Sequence, residues 1–134
     1  MAAPFRAAFD GGSRGNPGPA AWGVAVLAAN GDCVEGHAGV LGHATNNVAE
    51  YHGLLQALKL AHERGADQVE ILADSELIVR QIQGRYKVKN AGIIPLYNEV
   101  VKLAGTLAAF TATNVRRGQN AAADGLANEA LDRK

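Results

Sequence analysis

Apolar and polar positions fall into short blocks whose period changes along the chain. Phe5 to Phe9 is an apolar run ending at Asp10 and reads as a strand. Gly11 to Pro19, GGSRGNPGP, has the composition of a turn or loop. Two more apolar runs follow, Ala20 to Ala29 and Cys33 to Val40, joined at Asn30-Gly31. Asn-Gly between apolar runs predicts a hairpin, so three antiparallel strands should open the fold.

The period then lengthens. Val48, Tyr51, Leu54, Leu55 and Leu58 recur at helical spacing behind a cap at Thr45-Asn46. This helix should reach about Arg64, with Gly65 as its C-terminal stop. Gln68 to Ala73 is a short β-rich run, and Ser75 can cap a second helix that Gly84 ends. Arg85 to Gly92 reads as a polar, basic connection. A third helix is expected from Ile94 or Pro95 to about Leu107, a fifth strand from Ala108 to Val115, and a last helix from Asn120 to Leu131. Hairpins first and crossovers later predict an α/β fold, a mixed sheet covered by helices.

The length of 134 residues suits a single domain, residues 1–134, large enough to fold without staples. The single cysteine, Cys33, excludes a disulfide framework within one chain. It also excludes a cysteine-based zinc site. A lone thiol suits a reducing, cytoplasmic setting. Cys33 itself reads as packing rather than as a nucleophile. No run approaches the roughly 18 apolar residues of a membrane span, and the N-terminus lacks a signal peptide's apolar core.

Formal net charge is zero, with thirteen cations and thirteen anions. That sum carries no basic footprint for nucleic acid, but the distribution does. Leu77 to Asn98 holds Arg80, Arg85, Lys87 and Lys89 and no acid, and Arg116-Arg117 form a second group. A solvated surface explains such charges equally well.

Candidate chemistry lies in acids that end a strand or enter a helix, because such ends converge at one edge of an α/β sheet. Asp10 ends the first strand and Asp74 the fourth. Glu50 lies in the first turns of the first helix, expected off the face of Leu54 and Leu58. Asp124 lies in the last helix. Singly, each acid has a bland reading as a turn residue, a cap, a dipole-favoured acid or plain surface. Together they predict a dense carboxylate cluster, which needs cations to be stable. Hard divalent ions such as Mg²⁺ suit oxygen ligands, and two of them can clamp an in-line phosphoryl displacement. Dinucleotide-binding, P-loop and G-x-S-x-G signatures are missing. His37, His43, His52 and His62 lack zinc-type spacing and read as surface or partly buried, and Trp22 as core filling.

Four segments, in order, resemble the type 1 ribonuclease H family in its compact bacterial and archaeal form. They are FDGGSRGNPGPAAWGVAV, TNNVAEYHGLLQALKLA, ILADSELIVRQIQGRYKVKN and VRRGQNAAADGLANEAL, and the likeness covers about Phe5 to Leu131. The resemblance implies the ribonuclease H-like fold, with a five-stranded mixed sheet. It implies hydrolysis of the RNA strand of RNA–DNA hybrids with two Mg²⁺ ions, or Mn²⁺ in their place. Products would carry 5′-phosphate and 3′-hydroxyl ends. Asp10 would bridge the two ions, Asp124 would help hold the one that activates water, and Glu50 and Asp74 the one at the leaving oxygen.

It further implies substrate contacts from Gly11, Gly12, Ser13, Asn16, Thr45, Asn46 and Asn47, and phosphate contacts from Arg80, Arg85, Lys87 and Lys89. Glu76 stands where relatives often carry an amide. The loop Asn114 to Asn120 lacks the histidine that the larger branch uses at product release. Arg117 matches the family arginine there and is expected to assist turnover. A monomer is expected. The alternatives are a nucleic-acid-binding module of the same fold that has lost the chemistry, and another nuclease of the wider superfamily.

Overall fold

The computed structural model describes residues 4–133. β1 (Phe5–Ser13), β2 (Gly18–Leu27) and β3 (Cys33–Ala44) form an antiparallel meander. α1 (Asn46–Glu63) leads to β4 (Gln68–Ala73), then α2 (Glu76–Ile82), α3 (Ile94–Ala104) and β5 (Ala109–Asn114). A 3₁₀ turn (Arg117–Asn120) precedes α4 (Ala121–Asp132). The sheet order is β3-β2-β1-β4-β5, with β4 and β5 added parallel to β1. The mixed sheet expected from the order of elements is therefore present.

Several boundaries move. The glycine-rich stretch is mostly strand, not loop. Gly11, Gly12 and Ser13 pair with Trp22, Ala21 and Ala20, so the connection shrinks to 14–17. Ladder hydrogen bonds to β2 outweigh the turn composition here, although β4 pairs with β1 only as far as Ala8. β3 runs on to Ala44 because it pairs with β2 as far as Gly18. The β2–β3 hairpin closes through three residues, not two. Ala28 N–H donates to Asp32 O at 2.9 Å, and among the described residues only glycines have positive φ, here Gly31 at 93°. A two-residue Asn-Gly turn of the usual kind would need positive φ at Asn30 as well. α3 stops at Ala104, β5 spans Ala109–Asn114, and the residues just before α4 wind into the 3₁₀ turn.

Side chains on β1 alternate between two cores. Ala7 and Phe9 join Val24, Tyr51, Leu54, Leu58 and Ile71 on the α1 side. Ala8 joins Ala25 and Ala123 on the α4 side. Because both faces of β1 are buried, it is apolar at three successive positions, Ala7 to Phe9, instead of alternating. Small residues let the helices come close. A Cβ on Gly23 would lie 2.4 Å from Ala123 O of α4, and one on Gly53 would lie 2.8 Å from Asp10 O. Trp22 is half-buried against the α1-side core rather than filling it. Cys33 is exposed at the start of an edge strand, so the packing role expected of it does not hold.

Candidate active site

The parallel register between β1 and β4 builds the site. Ala8 lies beside Leu72, so Asp10 and Asp74, each two residues further on, come level at one edge of the sheet. α1 enters at the same edge. Thr45 caps it, its hydroxyl accepting from Val48 N–H at 3.2 Å. One turn in, Glu50 faces the two aspartates. One carboxylate oxygen from each of Asp10, Glu50 and Asp74 lies within 4.8 Å of the others. Glu50 is half-buried and heads the row Glu50, Leu54, Leu58. The expectation that it lies off that face is therefore wrong, since residues four apart share a helix face.

Asp124 approaches from α4 onto the same cleft wall, close enough to Asp10 to raise its carboxyl. The side-chain alternation of β1 explains this, because Asp10 points to the same side of the sheet as Ala8 and so toward α4. All four acids line one open cleft of ≈ 640 Å³.

The electrostatics are those of crowded acids. Burial pushes the Asp10 carboxyl up to about 7, with help from Asp124 and the charge on Asp74, while the Gly11 N–H opposes. Burial pushes Glu50 up to about 8, with further contributions from Asp10 and Asp74, against the Ser75 hydroxyl. Burial also raises Asp74, and Asp124 adds to the rise, while the Arg117 guanidinium and the Asn120 amide pull it down. Like charges this close favour a shared cation. Opposite oxygens around Mg²⁺ sit about 4.2 Å apart, so oxygens within 4.8 Å of one another fit a hard divalent ion. Asp10, Glu50 and Asp74 would hold it, with Asp124 beside them.

The other expected residues divide. Gly11, Gly12, Ser13, Asn46 and Arg117 line the same cleft. Asn46 Oδ1 accepts from Ser13 N–H at 2.7 Å and from Ser13 Oγ at 2.9 Å. Asn16 Oδ1 accepts from the Asn46 N–H at 3.1 Å. These bonds clasp the β1–β2 connection onto the start of α1, so Asn16 acts on Asn46 rather than from the cleft wall. Thr45 is occupied as the cap, and Asn47 is exposed beside it. Arg80, Lys87 and Lys89 do not line the cleft. Arg80 pairs with Glu76 at 2.7 Å and sits 5.8 Å from the Tyr86 ring centre, while Arg85, Lys87 and Lys89 are exposed on the connection after α2.

Ser75 and Asn120 also belong to the site, without a local signal for it in the sequence. Ser75 both caps α2 and faces Glu50. Asn120 is 1% exposed, donates from Nδ2 to Phe9 O at 3.0 Å, and leaves its buried Oδ1 without a partner among the described residues. An asparagine before a predicted helix signals only a cap, and nothing local encodes its link to β1.

The profile of a family described as reverse transcriptase-like matches residues 8–130. A bifunctional protein of Mycobacterium tuberculosis is 44% identical over 92% of this chain and 34% of its own length. The first curated relatives are longer than this chain, which spans 34% to 62% of them. The crystal structure of RNase H1 from Halobacterium salinarum superposes with a TM-score of 0.92 at 38% identity, covering 98% of this chain and 100% of that one. LC11-RNase H1 in complex with an RNA/DNA hybrid gives 0.89 at 38% identity, covering 96% of this chain and 97% of that one. With its mixed sheet, its acids at one edge and these likenesses along nearly its whole length, the chain belongs to the type 1 ribonuclease H family.

Proposed function

We propose that this chain is an endoribonuclease that hydrolyses the RNA strand of RNA–DNA hybrids, leaving 5′-phosphate and 3′-hydroxyl ends. The observation that carries the reading is the cluster of Asp10, Glu50 and Asp74, with Asp124 beside it, lining one open cleft. A relative of similar fold, LC11-RNase H1, was solved with an RNA/DNA hybrid. The four acids would hold two Mg²⁺ ions, with Mn²⁺ as a substitute. Ions so held supply charge neutralisation at the phosphate and a more acidic water.

The chain's own residues bind and orient the substrate. Asn46 commits its oxygen to Ser13, which leaves its NH₂ group as a donor toward a 2′-hydroxyl or a base edge. Gly12, where an added Cβ would meet nothing nearer than Asn46 Oδ1 at 3.8 Å, keeps the cleft wall low enough for the RNA backbone to approach, and Gly11 beside it offers its backbone. Thr45, Asn16 and Asn47 frame the start of α1, where backbone N–H groups favour phosphate. Arg80, Lys87 and Lys89, outside the cleft, would meet phosphates of the DNA strand and make affinity salt-sensitive.

One copy carries all four acids in one domain, so the reaction needs no second copy, and a monomer suffices. No helix among the described residues is long and apolar enough to cross a membrane. The exposed free thiol of Cys33 suits a reducing cytoplasm.

The deciding experiment incubates wild type and Asp74→Asn with a labelled hybrid and Mg²⁺ or Mn²⁺, beside an all-DNA duplex. Cleavage of the RNA strand alone, lost in the variant, is expected. Binding of the hybrid without cleavage under either metal would replace the reading with that of a binding module.

A further inference from the structure

The cleft continues past the acids. From Asp124 its wall follows one face of α4 through Ala127, Asn128 and Leu131, at steps of three and four residues. At the far end stands Arg14, in the β1–β2 connection and also on the cleft wall. Its guanidinium pairs with Asp132, the last residue of α4, and both side chains are more than half exposed. Arg14 and Arg117 are the cations on this wall. Arg117 acts on Asp74. Arg14 instead faces an acid outside the cluster.

We propose that Arg14 and Asn128 form a subsite for a phosphate of the RNA strand beside the one that is cut, and that Asp132 holds the guanidinium in reserve until the strand arrives. The proposal rests on the hybrid-nuclease reading. A strand with its scissile phosphate at the acids must run along the cleft, and the α4 arm offers it a cation with an amide donor beside it. Four carboxylates repel such a strand, so a cation at the arm's end has a clear electrostatic purpose. An exposed Arg–Asp pair is weak, and a guanidinium matches phosphate at least as well as carboxylate, so the exchange is easy. Asp132 keeps the arginine from wandering and competes with the incoming phosphate.

Opposite effects of two variants test this. Arg14→Ala is expected to raise KM for the hybrid about three- to tenfold and to flatten its salt dependence by about one charge. Asp132→Asn frees the arginine and is expected to lower KM about two- to fivefold. Both residues are surface-exposed, and thermal melts check that both variants fold. Hybrids whose RNA strand is shortened on one side of the cut, and then on the other, locate the contact. On one of the two series the Arg14→Ala effect should vanish. Equal weakening by both variants would make the pair a structural brace and overturn the subsite. So would an Arg14→Ala enzyme with wild-type KM and salt slope, or an effect insensitive to shortening on either side. Wild type that neither binds nor cuts the hybrid would remove the nuclease reading and the subsite together, an outcome distinct from all of these.

Discussion

Gly11 of β1 and Glu50 of α1 meet where no side chain fits: a Cβ on Gly11 would lie 2.4 Å from the Glu50 amide nitrogen. The neighbouring Ala49 carbonyl carbon would be nearer still, at 2.3 Å. All of these are backbone atoms and cannot swing aside. The contact presses α1 onto β1 and so brings the Glu50 carboxyl to Asp10. Gly11→Ala should therefore push the helix off the strand, costing about 1–3 kcal/mol of stability. Cleavage should fall more than stability does, because Glu50 moves with its helix. Melting curves beside metal-dependent activity check this, and an active, equally stable variant would show that the approach is not needed.

The acids predict how stability depends on pH without divalent ions. The folded state raises Asp10 from 3.8 to about 7 and Glu50 from 4.5 to about 8. A carboxyl raised on folding holds its proton more tightly folded than unfolded. Its contribution is complete below the unfolded value and is lost as pH climbs through the folded one. Between pH 4 and pH 9 in chelator, the Tm should drop by roughly 5–10 °C. Mg²⁺ or Mn²⁺ added at pH 8 should recover it, because the cation replaces the protons. A flat profile in chelator would show that the acids are not crowded in solution.

Glu50→Gln separates stability from function. It removes a half-buried charge that Asp10 and Asp74 oppose, at almost constant volume. At pH 9 in chelator it should gain about 1–2 kcal/mol over wild type. Stabilisation by Mg²⁺ or Mn²⁺ should weaken sharply, and cleavage should be lost. Calorimetry with and without the ion makes the comparison.

Asn120 ties the end of β1 to the start of α4 through Phe9 O. Asn120→Ala should cost about 1–3 kcal/mol, because a buried carbonyl loses its donor. Asp124 follows one turn later on the same helix, so activity should fall too. Chemical denaturation and single-turnover cleavage, read together, report both effects.

Arg117 is exposed on the 3₁₀ turn, yet its charge acts on Asp74 across the cleft. Arg117→Ala should slow multiple turnover severalfold while leaving the single-turnover rate nearly intact, if product leaves along this cation. Unchanged multiple turnover would end that assignment.

The sequence by itself determined the kinds and order of elements, because apolar period and capping are local properties. Thr45, Ser75 and Gly65 mark their helix ends as the pattern says. The acids at Asp10, Glu50, Asp74 and Asp124 were legible too, through their places at strand ends and on helices. Tertiary structure decided what pairing and packing decide. Gly11 to Ser13 became strand because β2 supplied a ladder, although their composition reads as turn. Glu50 turned inward because it shares a face with Leu54, and that face had to be buried. Register between β1 and β4 made Asp10 and Asp74 neighbours across more than sixty residues of sequence, which no local pattern encodes. For the same reason Asn120 and Phe9, and Arg14 and Asp132, met only once the chain had closed.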